Sequence, residues 1–157
     1  MPHVPIAVSE KFLGKSEQGL YGDLMMEIDW SVGRIINALE KNKIIDNTLI
    51  IFTSDNGPWL NFGNHAGSTG GLREGKGTSF EGGQRVPTVM MWPDVIPAGK
   101  IANQLSSAID ILPTVSHIVD GNLPKHKIDG INILEILKGE KVNPRKEFYY
   151  YYGNNNL

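Results

Sequence analysis

Thr48-Leu-Ile-Ile-Phe-Thr53, followed directly by Ser54-Asp-Asn-Gly-Pro58, is the stretch of sequence that decides the fold. Its first half is short, apolar and rich in branched side chains, which predicts a strand buried on both faces. A second run of this kind, residues 86–92, ends at Pro93 and predicts another buried strand. Between them, residues 54–83 are polar and glycine-rich without helical or strand periodicity, which is typical of a long loop that is either functional or disordered.

Helices are predicted on both sides of these strands. Apolar side chains recur at three- and four-residue steps over residues 23–43, which predicts an amphipathic helix capped by Asp23. A second helix is predicted over residues 108–119, with Asp110 as its cap and Gly121 as its stop. Shorter apolar segments predict a helix over residues 131–137 and an aromatic strand over residues 148–152. This alternation predicts an α/β fold in which a sheet is flanked by helices.

The composition narrows the possible partners and chemistries. Hydrophobic residues make up 40% of the chain and charged residues 20%, as in an ordinary globular domain. A net charge of −2 without a basic stripe argues against a nucleic-acid partner. No apolar run approaches the roughly 18–20 residues of a membrane span. Because the sequence contains no cysteine, disulfides, zinc thiolate sites and a cysteine nucleophile are excluded within the chain.

Asp55-Asn56-Gly57 follows the first predicted strand and offers two hard oxygen donors. Such donors suit calcium or magnesium rather than zinc, and Gly57 lets the backbone turn so that both face one ion. Taken alone, the triplet is more typical of a simple turn than of a metal site. Further along, Glu81 and Arg85 are predicted to pair with each other and brace the loop.

A lysine and two histidines are the other candidates for chemistry. Lys76 stands between Gly75 and Gly77, which would let its ammonium group and the backbone approach an anion closely. His3 lies between two prolines in an extended segment, where an imidazole can protonate a leaving group. His65 can reach a substrate from the long loop. Each of these residues, considered singly, is more typical of an ordinary solvated side chain than of a functional one.

Together, the order and spacing of these segments resemble the type I sulfatases. The upstream blocks are Pro2-His-Val-Pro5 and Val8-Ser-Glu-Lys-Phe12. The remaining blocks are Phe52-Thr-Ser-Asp-Asn-Gly-Pro58, Leu72-Arg-Glu-Gly-Lys-Gly-Thr-Ser-Phe-Glu-Gly-Gly83, Arg85-Val-Pro87, Trp92-Pro93, Ile96-Pro-Ala-Gly99, Asp110-Ile-Leu-Pro-Thr114 and Asp129-Gly130. The resemblance therefore covers nearly the whole chain.

The resemblance implies a fold and a reaction. The fold is the alkaline-phosphatase-like α/β three-layer sandwich, with a mixed sheet flanked by helices. The reaction is hydrolysis of a sulfate ester, aryl or carbohydrate, with a formylglycine nucleophile made in a Cys/Ser-x-Pro-x-Arg motif. By the same resemblance, Asp55 and Asn56 are ligands of calcium, or of magnesium. Lys76 binds the sulfate oxygens, His3 lies near the scissile ester oxygen, and His65 is a weaker candidate for substrate contact.

The sequence departs from the family pattern because it holds no formylglycine motif and no aspartate pair to complete the metal site. We expect residues 1–145 to be the C-terminal half of a sulfatase catalytic domain and residues 146–157 the start of a small, truncated C-terminal subdomain. The chain alone is then expected to be inactive, with the N-terminal half of the same protein as its partner and a sulfated small molecule or carbohydrate as its ligand. The parent enzyme is expected to be periplasmic or secreted. Two alternatives are a phosphodiesterase or phosphonate hydrolase of the same superfamily, and a non-catalytic remnant that binds only an ion or a partner.

Overall fold

The structure, a computed structural model, describes residues 2–150. Helix α1 spans Gly19–Lys41, strand β1 Ile50–Phe52, helix α2 Glu81–Gln84, strand β2 Val89–Met91, helix α3 Ile111–Ile118 and helix α4 Leu134–Leu137. Short 3-10 turns cover Ile45–Asn47, Leu60–His65 and Ala108–Asp110. These elements form the predicted α/β combination of helices and sheet. No helix in this part of the chain has the length and apolar character needed to cross a membrane.

Helix α1 begins four residues earlier than predicted, and Asp23 is not its cap. The Asp23 side chain is buried, 3% exposed, and its carboxylate accepts hydrogen bonds from the backbone N–H groups of Gly14 (2.8 Å) and Ser16 (2.7 Å). The predicted cap was therefore wrong because Asp23 holds the preceding loop against the helix instead of satisfying helix amides. At the other end, the Asn42 side chain donates to the Ala38 carbonyl at 2.7 Å, and the helix stops at Lys41.

The two predicted strands exist, but they are shorter than predicted and exposed on one face. They pair antiparallel, with Ile50 opposite Met91 and Phe52 opposite Val89. Phe52 is 38% and Val89 62% exposed, so the prediction of burial on both faces was wrong. Ile51 lies on the other face and lines a small apolar cavity with residues of α3 and α4. Helices α3 and α4 thus cover the face of the sheet that carries Ile51.

The carboxylate of Asp110 organises the region around α3 and α4. Asp110 is fully buried and accepts hydrogen bonds from the N–H groups of Ser107 (2.8 Å) and Ile131 (2.9 Å) and from the Arg145 guanidinium. The predicted cap therefore lies at the start of α3, but its carboxylate binds groups outside that helix. It joins three segments that are distant in sequence.

The helix predicted over residues 131–137 starts only at Leu134. The N–H of Ile131 is taken by Asp110, and the N–H of Ile133 donates to Thr114 Oγ1 at 3.0 Å. These bonds hold residues 131–133 outside the helix and bury Ile133 and Ile136, 3% and 4% exposed, beside α3.

The aromatic segment near the C-terminus is not a strand over the residues described. Residues 148–150 have no regular secondary structure, so the strand prediction was wrong there, and residues 151 and 152 lie outside the described part of the chain. Tyr150 packs towards α2: burial and, to a smaller extent, the Glu81 carboxylate raise the pKa of its hydroxyl. The division of the chain after residue 145 stays a prediction.

Asp110→Ala is expected to lower the free energy of unfolding by about 3–5 kcal/mol, because it removes an acceptor of three donors and leaves Arg145 nearly buried without its partner. Glu135→Ala is the matched control, since it breaks an exposed 2.9 Å pair with Lys138. Its cost should stay below about 1 kcal/mol. Urea unfolding followed by circular dichroism measures both values. Equal costs would contradict the central role of Asp110.

The Asp23 interactions predict a pH dependence of stability. Hydrogen bonds from the backbone of Ser16, then of Gly14, lower the pKa of the Asp23 carboxyl from 3.8, although burial opposes them. Because the folded pKa lies below the unfolded one, this stabilisation is complete above about pH 4 and is lost as the pH falls through the folded value. Asp23→Asn should therefore destabilise the protein most at neutral pH and progressively less in acid. Urea unfolding between neutral and acidic pH tests this, and a constant difference would contradict it.

Candidate functional site

The long connection between β1 and β2 folds back on itself through backbone contacts. The N–H of Gly57 donates to the Gly83 carbonyl at 2.9 Å, and the N–H of Gly82 donates to the Arg73 carbonyl at 2.8 Å. The N–H of Lys76 donates to the Pro58 carbonyl, also at 2.9 Å. Residues 55–58, 73–78 and 81–84 are thereby joined. We call these three segments the glycine-lined loop.

Glycine is required at the crossing points of the glycine-lined loop. A Cβ on Gly57 would lie 1.8 Å from the Gly82 carbonyl oxygen, and one on Gly82 would lie 2.0 Å from the Glu74 oxygen. A Cβ on Gly75 would lie 2.4 Å from the Pro58 oxygen. These distances are far inside van der Waals contact and the opposing atoms are backbone, so no side chain can be accommodated without moving the chain. The segments approach this closely only because these positions have no side chain.

Lys76 is held at the centre of the glycine-lined loop. Its N–H bond to Pro58 places it beside the strand end that carries Asp55 and Asn56. Its side chain is half-buried, and the ammonium nitrogen lies 5.3 Å from the centroid of the Trp59 ring. The structure therefore brings the predicted anion-binding residue and the predicted metal ligands into one region.

Asp55 and Asn56 leave the end of β1 as predicted. Asp55 is exposed and Asn56 is half-buried. The Asn56 amide nitrogen donates to the Gly57 carbonyl at 2.9 Å, and Ser54 Oγ donates to the Asn56 carbonyl at 3.0 Å. This bond uses the amide nitrogen and not the side-chain oxygen of Asn56. An amide oxygen is a donor that suits a hard cation. Within residues 2–150 there is no group of three or more acidic, histidine or cysteine side chains able to hold a metal, and the assignment of Asp55 and Asn56 as metal ligands stays a prediction.

Within the described residues, neither candidate histidine has a backbone hydrogen bond to the glycine-lined loop like the one from Lys76 to Pro58. His3 is exposed, and its Nδ1 is hydrogen-bonded to the carbonyl of the neighbouring Val4 at 2.9 Å. His65 is exposed at the last position of the 3-10 turn Leu60–His65. Their assignments to the ester oxygen and to substrate contact therefore stay predictions.

The predicted pairing of Glu81 and Arg85 is confirmed. Their side chains form an ion pair of 3.3 Å, with side-chain exposures of 56% and 70%. An exposed pair of this spacing contributes about 0.3–0.5 kcal/mol. It is thus too weak to brace the loop, whose shape depends instead on the backbone contacts at the glycines.

Sequence reasoning missed an aromatic pair of which one member, Trp59, lies next to Lys76. Trp59 and Phe62 pack edge to face, with ring centroids 4.8 Å apart, and both rings remain more than 40% exposed. The available signal was the presence of two aromatic side chains three residues apart in an otherwise polar loop. Similarly, the Arg73 guanidinium lies 3.7 Å from the centroid of the Phe80 ring.

A separate cleft of about 450 Å³ lies between residues 103–105 and 141–146. Its basic residues are Lys141, Arg145 and Lys146, but Arg145 is committed to Asp110. The cleft contains none of the predicted site residues. The candidate chemistry therefore belongs to the glycine-lined loop.

Comparison with known proteins identifies the class. The model of the sulfatase family matches residues 1–121, and this chain belongs to the sulfatase family. Arylsulfatase H of Canis lupus familiaris is 41% identical over 156 residues, which are 96% of this chain and 28% of the relative. Human steryl-sulfatase is 39% identical over 158 residues, 97% of this chain and 27% of the relative. The N-acetylgalactosamine-6-sulfatase of Canis lupus familiaris is 42% identical over 150 residues, 94% of this chain and 29% of the relative.

Solved structures confirm the expected fold. PsFucS1 sulfatase from Pseudoalteromonas sp. superposes with a TM-score of 0.85 at 33% identity, over 92% of this chain and 30% of that one. Ps i-CgsB in complex with k-i-k-neocarrahexaose gives a TM-score of 0.81 at 34% identity, over 92% of this chain and 33% of that one. The chain thus has part of the alkaline-phosphatase-like sulfatase architecture. It spans less than a third of the length of the curated relatives it matches.

Gly82→Ala is expected to destabilise the protein by about 1–3 kcal/mol or more, because the new methyl group meets the Glu74 carbonyl oxygen. Gly33→Ala is the control: it lies within α1, and its Cβ would meet no atom within 4 Å. It should stabilise the helix by about 0.5–1 kcal/mol. Urea unfolding measures both effects. Hydrogen exchange at the Lys76 amide shows whether the loop keeps the hydrogen bond from Lys76 to Pro58. A neutral Gly82→Ala with unchanged Lys76 protection would contradict this packing.

Proposed function

We propose that this chain supplies the sulfate-binding lysine and part of the metal site of an enzyme that hydrolyses sulfate esters. The observation that carries the proposal is the hydrogen bond from the Lys76 N–H to the Pro58 carbonyl within the glycine-lined loop. This bond fixes the main chain of Lys76 next to Pro58, which follows the proposed oxygen donors Asp55 and Asn56 in the sequence. The family membership of the chain supports the reaction class.

Asp55 and Asn56 are proposed to bind a calcium ion, with magnesium as the alternative. The donor set fits, because it consists of one carboxylate and one amide oxygen and contains no sulfur ligand. Calcium takes about 6–8 oxygen ligands, so the remaining ligands must come from water, substrate or residues outside this chain. When bound, the ion would neutralise negative charge on the sulfuryl oxygens.

Lys76 is proposed to bind those same oxygens. A fixed ammonium group in a restricted loop stabilises developing charge without reorganisation during the reaction. His3 is proposed to protonate the departing alkoxide. When the Nδ1–H of His3 donates to the Val4 carbonyl, Nε2 is the nitrogen that remains to exchange a proton with substrate.

The nucleophile is proposed to be a formylglycine supplied by a segment outside these 157 residues, because the chain has neither a cysteine nor a Ser-x-Pro-x-Arg motif. The chain alone should then not turn over a sulfate ester. The rest of the same protein is its proposed partner, and a sulfated small molecule or carbohydrate is its proposed substrate.

The test compares variants of a complete sulfatase that contains this chain. Lys76→Ala should lower kcat about a hundred- to a thousandfold, the usual cost of losing one stabilising donor. Asp55→Ala should cost more than His65→Ala and change the calcium dependence, because only Asp55 is a proposed metal ligand. Initial rates with 4-nitrophenyl sulfate, measured over a calcium titration, give these values.

Two controls make this test specific. Lys76→Arg should recover only part of the activity, since a planar guanidinium does not occupy the position of a compact ammonium group. Bis(4-nitrophenyl) phosphate tests for phosphodiesterase activity, and faster turnover of it than of the sulfate would reject the proposed reaction class. Near-normal kcat in Lys76→Ala would remove this lysine from the site.

A further inference from the structure

An exposed aromatic pair lies directly beside the proposed sulfate-binding lysine. Trp59 and Phe62 have ring planes inclined at 78° and centroids 4.8 Å apart. Trp59 is 42% and Phe62 43% exposed, so a large part of both rings is open to contact. Lys76 Nζ lies 5.3 Å from the Trp59 centroid. An apolar surface and a cation are therefore adjacent on one loop.

The pair does not contribute to the buried core of the described residues. That core is formed by Phe12, Ile133, Leu134 and Ile136, all at most 8% exposed. Trp59 directly precedes the exposed 3-10 turn Leu60–His65, and Phe62 lies within it. Exposed indole and phenyl rings held in a fixed edge-to-face arrangement offer large contact area at little cost in side-chain entropy.

The polar side chains of the same turn indicate what kind of ring this surface fits. Asn61, Asn64 and His65 are all exposed on the Leu60–His65 turn. A pyranose has an apolar C–H face that packs on an aromatic ring and a rim of hydroxyls that hydrogen-bond to amide and imidazole groups. A simple aryl ring has the flat face but no hydroxyl rim. The combination favours a sugar.

We propose that Trp59 and Phe62 form a platform for the pyranose ring whose sulfate ester is bound by Lys76. The proposal rests on the proposed function, because it takes Lys76 as the sulfate ligand. A charge-assisted N–H···O bond of about 2.8 Å places the sulfate beside Lys76, and hence the sugar that carries it beside the aromatic pair. Trp59 and Phe62 are then specificity-determining residues, and Asn61, Asn64 and His65 face the hydroxyl groups.

The alternative is that Trp59 only holds the Lys76 side chain in place through a cation–π contact. The two roles differ in what they do to a bare anion. A platform for the sugar affects ligands that carry a ring and leaves inorganic sulfate unaffected. A support for Lys76 affects both ligands equally.

Binding to the full 157-residue chain distinguishes these roles. The probes are N-acetylglucosamine 6-sulfate, unsulfated N-acetylglucosamine, 4-nitrophenyl sulfate and inorganic sulfate, each titrated while the Gly77 amide signal is followed by ¹H–¹⁵N NMR. The variants are Trp59→Ala, Trp59→Leu, Phe62→Ala and Lys76→Ala. Ile101→Ala is the control, since Ile101 is an 85% exposed apolar side chain outside the loop. The dispersion of each spectrum shows whether the variant is folded.

The sugar sulfate should bind more tightly than inorganic sulfate and than 4-nitrophenyl sulfate. Trp59→Ala and Phe62→Ala should each weaken it about three- to tenfold, the range of a single aromatic contact. They should change the dissociation constant of inorganic sulfate by less than about twofold, and Ile101→Ala should change the binding of neither ligand. Trp59→Leu should weaken binding of the sugar sulfate less than Trp59→Ala does, because leucine retains part of the apolar surface.

The possible failures are separable. Equal weakening of sugar sulfate and inorganic sulfate in Trp59→Ala overturns the platform in favour of the support. Tighter binding of 4-nitrophenyl sulfate than of the sugar sulfate overturns the assignment of a pyranose. A third outcome is that Lys76→Ala abolishes binding of inorganic sulfate, while the sugar sulfate binds the original chain no more tightly than inorganic sulfate does. This result overturns the platform and leaves the proposed function intact. Sulfate binding unaffected by Lys76→Ala overturns both, whereas no binding of any probe overturns the platform on this chain.

Discussion

In the glycine-lined loop, backbone carbonyl oxygens occupy the positions that side chains would take at three glycines. This close approach of main chain to main chain constrains the rest of the site. Gly57 meets the Gly82 oxygen, Gly82 meets the Glu74 oxygen and Gly75 meets the Pro58 oxygen, each at a distance that admits no Cβ. The same approach permits the hydrogen bonds of Gly57, Lys76 and Gly82 to opposing carbonyls. The relative placement of the candidate lysine and the candidate metal ligands is therefore set by the main chain.

The region around α3 is held together differently, by one buried charge. Asp110 binds two backbone N–H groups and the Arg145 guanidinium while fully shielded from water. Surface ion pairs such as Glu81 with Arg85 contribute little by comparison, because water solvates both partners. The molecule thus relies on hydrogen bonds to groups that water cannot reach, and the exposed charges of the loop remain available to a ligand.

The sequence predicted local features better than those that depend on distant partners. The periodicity of α1 and the apolar runs of β1 and β2 located these elements, because their patterns lie within the segments themselves. The start of α1 and the start of α4 were misplaced, since Asp23 and Asp110 bind backbone groups elsewhere in the chain. Motif spacing indicated the Asp55–Asn56 and Lys76 segments, whereas the Trp59–Phe62 pair has no motif and needed the structure.

The main-chain construction of the glycine-lined loop has a consequence for how members of such a family diverge. Between the glycines, exposed side chains such as Asn61, Asn64 and His65 take no part in the contacts that shape the loop. Mutations there can accumulate without a folding penalty, while each crossing glycine tolerates none. Selectivity for new substrates can therefore evolve by neutral drift of the intervening positions, with the charged centre left in the same place.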